Sequence, residues 1–193
     1  MSKTLILSST SPFRKALLSR LKISYEVASP EIDESAYDYE EPDDLVERLA
    51  CDKALKVSHM YKNSLIIGCD QLAVCENKTI GKPGNRENAI ESLSILSGKT
   101  INFLTALCLL NTKTKKIQKK VENFYVTFKN LEIDQIERYV DSEKPFLSSG
   151  GFVSEGLGIS LVREMKGNDP SALIGLPLIS LVEMLKNENI QIP

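Results

Sequence analysis

The sequence predicts an α/β protein built on a mixed, twisted sheet with flanking helices. Short apolar strand patterns alternate with amphipathic helical patterns along the chain, an order typical of α/β folds. Two longer strand patterns separated by a polar turn add a central hairpin, which makes the sheet mixed. Of the 193 residues, 42% are hydrophobic and 26% are charged. We predict a single domain over residues 1–193, since ~150 residues is a common domain size.

The chain opens with a strand, a polar loop and a helix. Thr4–Leu7 is short and apolar, which predicts a buried strand. Pro12–Leu21 is predicted as a helix, because Ser11 is a favourable N-cap and proline is favoured at the first helical position. Ile23–Ala28 predicts a second strand before an acidic loop.

The next helix and strand each carry a charged residue of interest, Lys53 and Asp70. The helix is predicted from Glu41-Pro42 to about His59, with apolar residues at helical spacing. Lys53 falls near its apolar stripe. Ser64–Gly68 predicts a buried strand that delivers Asp70 at its end, after which Leu72–Cys75 continues extended.

The second half of the chain continues the alternation of strands and helices. We predict a helix from the Asn85 cap to Leu96, long strands over Ile101–Leu110 and Lys119–Phe128, a helix over Asp134–Val140, an extended segment over Phe152–Leu161 and a closing helix over Leu176–Asn187.

The composition excludes several classes of function. With 24 basic and 26 acidic residues the formal net charge is −2, so no basic excess is present for a nucleic-acid partner. No apolar run approaches the ~20 residues of a membrane span. One histidine and four cysteines without a C-x-x-C pair disfavour a zinc cage and indicate reduced thiols in a cytoplasmic protein.

A phosphate-binding site is predicted at the first strand–loop–helix junction. Free N–H groups at a helix start attract anions, and the loop brings Ser8 and Ser11 there. Arg14 could add a bidentate contact to a phosphate. The alternative is a well-capped helix with a surface arginine.

Carboxylates and lysines offer further contacts for a phosphorylated ligand. Glu31, Asp33 and Glu34 in the acidic loop, together with Asp70, are hard oxygen donors that suit Mg²⁺ or Mn²⁺, and a carboxylate of this set could act as general base for a water. Lys53 and Lys82 could meet phosphate oxygens. The alternatives are a solvated acidic loop, a lysine reaching past the apolar stripe to solvent, and an ordinary turn lysine.

A base-recognition set is predicted from Phe13, Gln71 and Glu155. A carboxylate can accept two hydrogen bonds from a guanine edge, and the glycines around Glu155 permit close ligand approach. Phe13 could stack on a base, more strongly on a cationic one. The alternatives are a core phenylalanine and a surface glutamate.

Together these segments resemble the Maf family of nucleoside triphosphate pyrophosphatases over nearly the whole chain. The matching motifs are Ser8-Ser9-Thr10-Ser11-Pro12-Phe13-Arg14, Pro30-Glu31-Ile32-Asp33-Glu34, Leu49-Ala50-x-x-Lys53-Ala54, Ile67-Gly68-Cys69-Asp70-Gln71, Gly81-Lys82-Pro83, Leu96-Ser97-Gly98, Gly150-Gly151-Phe152 and Ile174-Gly175-Leu176-Pro177-Leu178.

The resemblance implies a Maf/ITPase-like fold with two lobes around a deep cleft, a divalent metal, and a homodimer as is common in the family. It implies that Asp70 is the catalytic base and that the specificity positions are Phe13, Gln71 and Glu155. The implied polar active-site set is Arg14, Glu34, Lys53 and Lys82.

The branch of the family is similar to the YceF type, whose members are implied to cleave 7-methyl-GTP and so remove modified nucleotides from the pool. Gln71 supports this branch, since the thymidine/uridine branch usually carries threonine there. Two alternatives remain: a dTTP/UTP pyrophosphatase of the same family, and a non-catalytic nucleotide-binding regulator of septum formation.

Overall fold

The computed structural model describes residues 3–193 and shows a mixed α/β sheet with flanking helices. Within these residues the strands are β1 (Thr4–Ser8), β2 (Glu26–Ala28), β3 (Ser64–Cys75), β4 (Lys78–Ile80), β5 (Thr100–Asn111), β6 (Ile117–Phe128) and β7 (Val162–Gly167). The α-helices are α1 (Pro12–Ser19), α2 (Pro42–Ser58), α3 (Arg86–Leu96), α4 (Ile133–Glu143), α5 (Pro170–Ile174) and α6 (Leu178–Asn187). Two short 3₁₀ helices span Ser149–Gly151 and Leu157–Leu161.

The sheet runs in the order β2-β1-β3-β5-β6-β7, with β4 paired to β3. β1 is parallel to both β2 and β3, whereas β4 is antiparallel to β3 and β7 is antiparallel to β6. The predicted mixed sheet is therefore confirmed. Among residues 3–193, no helix is both long enough and apolar enough to cross a bilayer.

Asp70 lies inside a strand, and its predicted place at a strand end is wrong. β3 runs unbroken over Ser64–Cys75 and pairs with β1 and β4 as well as with β5. The register joins Ser8 of β1 to Gly68, and antiparallel pairing with β4 begins at Ala73. Asp70 thus falls between these two stretches of pairing, just beyond the last residue joined to β1.

The chain divides into two compact units. The first comprises Met1–Asp70 (described from residue 3), Thr105–Glu122 and Asp169–Pro193. Its core packs leucines of β1 and α1 against apolar residues of β3, β5 and α6. Helices α1 and α2 both begin with proline in the first turn, and Ser11 caps α1 by accepting from the Arg14 N–H, as predicted.

The second unit comprises Gln71–Leu104 and Asn123–Asn168. Its core includes three phenylalanines: the Phe152 ring lies edge-on to Phe128 at 5.2 Å between centroids and tilted against Phe103 at 5.9 Å. Asn85 caps α3 through the Asn88 N–H, as the sequence predicts.

The prediction of an extended Phe152–Leu161 is wrong. This stretch contains turns and a 3₁₀ helix, and the strand follows it as β7. The closing helix predicted over Leu176–Asn187 is observed as α6, which begins two residues later at Leu178. The separate short helix α5 precedes it and ends at Gly175, whose φ is 120°.

Candidate active site

Lys53 is the centre of a charge cluster that joins the buried Asp70 to the exposed Glu34. Its side chain projects from α2, where the residue is only 6% exposed. The ammonium lies 2.5 Å from Oδ1 of Asp70 and 2.7 Å from Oε1 of Glu34. The structure therefore brings together three of the predicted site residues. A buried ammonium needs such partners, because desolvating an unpaired charge costs several kcal/mol, on the order of the whole stability of a domain.

A glycine allows α2 to approach β3 closely enough for this cluster to form. A Cβ at Gly68 would lie 2.0 Å from the Ala50 carbonyl oxygen and 2.9 Å from the Ala54 nitrogen. Any side chain at this position would push the helix away from the strand. The glycine of the Ile67-Gly68-Cys69-Asp70 motif thus sets the separation between Lys53 and Asp70.

Ser8 holds the backbone of Lys53 from the other side. The Ser8 hydroxyl is fully buried and donates a 2.6 Å hydrogen bond to the Lys53 carbonyl oxygen. The bond fastens the end of β1 to the middle of α2. The predicted contact of Ser8 with a phosphate stays a prediction.

Arg14 is anchored through its Nε. It donates to the Gly175 carbonyl oxygen at 2.9 Å, and Nη1 donates to Ser9 Oγ at 3.4 Å. The Cys69 thiol donates to the same Gly175 oxygen. Burial raises the pKa of Cys69 to about 11, so the thiol stays protonated and able to donate at neutral pH.

The start of α1 presents Phe13 to solvent. Phe13 is 38% exposed, and the hydroxyl of Ser11, two residues earlier, accepts from the Arg14 N–H. Phe13 is not a core phenylalanine, which was the alternative left open by the sequence. An exposed ring at a helix start is available for stacking.

The loop that carries Glu34 is held by Arg48 of α2. The guanidinium donates two bonds to the Glu40 carboxylate, at 2.6 and 2.8 Å, and one to the Ser35 carbonyl oxygen at 2.9 Å. It also lies 4.0 Å from the centre of the Tyr37 ring. The bidentate pairing lowers the pKa of Glu40 to about 2. Arg48 therefore fixes the residue next to Glu34 in a loop that has little regular structure of its own.

The second unit carries the other predicted site residues. Gln71 follows Asp70 along β3, Lys82 is exposed in the loop between β4 and α3, and Glu155 is exposed between the two 3₁₀ helices. The backbone around Lys82 is tied down, because the Gly81 carbonyl accepts from Gly150 N–H at 3.0 Å.

The donor set suits a hard cation that keeps much of its own coordination. No cluster of three His, Cys, Asp or Glu side chains that could hold a metal occurs in the part of the chain described, residues 3–193. Glu34 and Asp70 supply carboxylate oxygens, and with Lys53 the three groups carry a formal charge of −1. Mg²⁺ commonly uses one or two carboxylates together with waters and substrate phosphates. These residues fit such an ion.

The arrangement combines a carboxylate able to accept a proton with cations able to meet an anion. Asp70 is 7% exposed, so its interactions are less screened than those of a surface carboxylate.

Sequence reasoning missed Arg48 and the Gly175 carbonyl as supports of the site. Gly175 stands in one of the family motifs, whereas nothing in the pattern distinguishes Arg48 from other charged helix residues.

Comparison with known proteins identifies the relatives of the chain. The family described as Maf-like protein matches residues 4–188. A protein of Alcanivorax borkumensis named 7-methyl-GTP pyrophosphatase is 52% identical, covering 98% of this chain and 96% of the relative. Proteins with the same name from Idiomarina loihiensis and Pseudomonas aeruginosa are 50% and 46% identical, each covering 98% of this chain and 97% and 98% of the relatives. The solved Ham1 protein of Staphylococcus aureus has a TM-score of 0.44 at 12% identity, covering 66% of this chain and 73% of that one.

Proposed function

The chain belongs to the Maf family, and from this premise we propose that it hydrolyses 7-methyl-GTP to 7-methyl-GMP and pyrophosphate. The observation that carries the proposal is the name shared by three relatives that are 46%, 50% and 52% identical, each aligned over 98% of this chain. The charge cluster of Lys53, Asp70 and Glu34 supports the proposal, because it supplies carboxylates and a cation of the kind that the reaction requires.

The cations of the first unit are proposed to bind the triphosphate. Arg14 offers its remaining guanidinium N–H groups, and Lys53 offers a point charge that already lies beside Asp70. The capped start of α1, with Ser11, adds backbone N–H groups that favour an anion. Ser8 supports Lys53 by donating a hydrogen bond to the Lys53 carbonyl oxygen. Lys82 is exposed and supplies a further positive charge in the proposal.

Asp70 is proposed to orient a water molecule and accept its proton. The water is added across the anhydride between the α and β phosphates, which yields a monophosphate and pyrophosphate. Glu34 and Asp70 would hold a divalent cation, Mg²⁺ or Mn²⁺, and the bound cation supplies positive charge to the phosphate oxygens. Lys53 lies against both carboxylates and so fixes their orientation before substrate binds.

Base recognition is assigned to Glu155, Phe13 and Gln71. Glu155 is exposed, and its carboxylate can accept from the guanine N1–H and exocyclic amine. The exposed Phe13 ring would stack on the base, and the positive charge of a 7-methylated guanine adds a cation–π attraction of about 1–2 kcal/mol. Gln71 follows Asp70 in β3 and is proposed to favour the methylated purine over thymine or uracil.

A pyrophosphate-release assay tests the proposal. The purified chain is given 7-methyl-GTP, GTP, dTTP, UTP and CTP in turn, with Mg²⁺ or Mn²⁺ and with chelator as control. We expect the highest kcat/KM for 7-methyl-GTP, with pyrophosphate rather than phosphate as product. Preference for dTTP and UTP would keep the reaction and overturn the substrate. Nucleotide binding without release of pyrophosphate would instead favour the regulator of septum formation.

A further inference from the structure

Two side chains of α4 hold the segment that carries Glu155. The Tyr139 hydroxyl donates to the Gly151 carbonyl oxygen at 3.1 Å and accepts from the Val153 N–H at 3.0 Å. The Glu143 carboxylate accepts from the Leu157 N–H at 2.7 Å. These contacts lie on both sides of Glu155 along the chain, so the segment is fastened before and after that residue.

The two supports share one face of the helix. Tyr139 and Glu143 are four residues apart, and side chains at that spacing are neighbours on a helix surface. Tyr139 is only 4% exposed, and burial raises its pKa, with the carboxylates of Glu143 and Glu155 adding to the rise. Its hydroxyl therefore stays protonated and keeps donating to the segment.

Gly156 shows how closely Glu143 approaches the segment. A Cβ at Gly156 would lie 2.4 Å from Oε1 and 2.5 Å from Oε2 of Glu143. The φ of Gly156 is −111°, which other residues also adopt, so the position needs a glycine because of space and not because of backbone strain. The carboxylate thus occupies the volume that a side chain next to Glu155 would take.

Glu155 itself is exposed while its backbone is held. Its Oε2 accepts from the Ser154 hydroxyl at 2.7 Å, and the residue remains open to solvent. A carboxylate on a fixed backbone can meet two donors of one base edge without the entropy cost of ordering the segment on binding. On a loose segment the same carboxylate would discriminate less.

We propose that Tyr139 and Glu143 are positioning residues that set base selectivity by holding the Glu155 segment. The inference rests on the proposed function, since it takes Glu155 to be the group that recognises the base. Neither side chain is assigned a contact with the substrate. Their effect is confined to the difference in affinity between a methylated guanine and other bases.

The test compares Glu143→Ala with Glu143→Gln, which retains an oxygen able to accept from the Leu157 N–H. The matched control is Glu137→Ala, a glutamate of the same helix whose side chain is 47% exposed. Two ratios are measured: kcat/KM for 7-methyl-GTP over UTP, and Kd for UMP over 7-methyl-GMP. We expect Glu143→Ala to lower both ratios ~5–10-fold, the worth of about one hydrogen bond. Glu143→Gln and Glu137→Ala should leave both within twofold.

Further variants separate positioning from a general structural role. Gly156→Ala displaces the Glu143 carboxylate without removing it and should reproduce the loss of selectivity. In a Glu155→Ala background, Glu143→Ala should change neither ratio further. The inference would be overturned if Glu143→Ala lowered kcat/KM equally for 7-methyl-GTP and UTP. It would also be overturned if Glu143→Ala lowered the two ratios as much in the Glu155→Ala background as in the unaltered chain.

Failure of the proposed function gives a different pattern. If the unaltered chain shows no preference for 7-methyl-GTP, or Glu155→Ala leaves its preference intact, the assignment of Glu155 is wrong and the inference falls with it. If Glu155→Ala abolishes the preference while Glu143→Ala and Gly156→Ala preserve it, the proposed function stands and the positioning role alone is overturned.

Discussion

The hydroxyl of Ser8 donates a 2.6 Å hydrogen bond to the main-chain carbonyl of Lys53. Helix carbonyls normally accept from the N–H four residues on, and this one has an additional donor from the end of β1. The lysine that contacts Asp70 and Glu34 is therefore fixed at its backbone as well as at its ammonium.

Replacing Ser8 with alanine should destabilise the fold. We expect Ser8→Ala to lower the free energy of unfolding by about 1–2 kcal/mol, because a buried hydrogen bond is lost. Urea unfolding measures the change. Ser58→Ala removes an exposed hydroxyl bonded to the Leu55 carbonyl and should stay within about 0.5 kcal/mol. Equal stability of Ser8→Ala and the unaltered chain would show that the bond contributes nothing.

Asp70→Asn should remove most of the activity while the chain still folds. We expect turnover to fall ~100-fold or more, because asparagine cannot accept the proton of the attacking water. Steady-state kinetics give kcat, and circular dichroism with urea unfolding verifies the fold. Asp134→Asn alters an exposed aspartate of α4 and serves as the control. A folded Asp70→Asn with unaltered turnover would remove Asp70 from the mechanism.

Arg48→Lys should weaken catalysis by loosening the acidic loop. Lysine keeps the charge but loses the planar fork that bridges Glu40 and the Ser35 carbonyl. We expect kcat/KM to fall about tenfold and amide exchange in residues 29–41 to quicken. If Arg48 acts through Glu34, the Arg48→Lys change should cost little more once Glu34→Gln is present. If the double variant instead loses kcat/KM by the product of the two single losses, Arg48 has a role that is separate from Glu34.

Glu155→Ala should alter selectivity more than rate. We expect the preference for 7-methyl-GTP over UTP to fall ~10-fold or more, since the guanine donors lose their acceptor. Turnover of UTP should change less than twofold. Glu164→Ala, at an exposed position of β7, is the control. A parallel drop for every base in the panel would argue against recognition of the base edge.

The Arg48–Glu40 pair should make stability depend on pH in the acid range. The folded-state pKa of Glu40 is lowered from 4.5 to about 2 by its hydrogen bonds to Arg48. The pair's contribution is therefore fully present above pH 4.5 and is lost as pH falls through about 2. Urea unfolding of Glu40→Gln and of the unaltered chain should differ most at pH 6 and converge towards pH 2. A constant difference across this range would contradict the lowered pKa.

Elements with strong local patterns were predictable from the sequence. The helix expected from Glu41-Pro42 to about His59 is observed as Pro42–Ser58, because an apolar stripe and a proline start both mark it. β7 was missed since its residues are mostly exposed or half-buried, so no alternation of apolar residues marks it. β7 pairs with β6 through backbone hydrogen bonds, and such bonds leave little trace in the pattern of side chains.

The candidate site was predictable as a set of residues and less so as a set of contacts. The sequence placed Lys53 near an apolar stripe but carried no sign that its ammonium joins Asp70 to Glu34. Such pairings join segments far apart in the chain, and one sequence carries no record of them. The single domain, the deep cleft, the homodimer and the cytoplasmic location stay predictions.

The Gly175 carbonyl oxygen accepts from both Arg14 and the Cys69 thiol. A carbonyl oxygen has two lone pairs, so it can accept from two donors. Rotation of the peptide plane that carries this oxygen would break both hydrogen bonds at once, the one from Arg14 of α1 and the one from Cys69 of β3. One peptide group thus ties the turn before α6 to both α1 and β3.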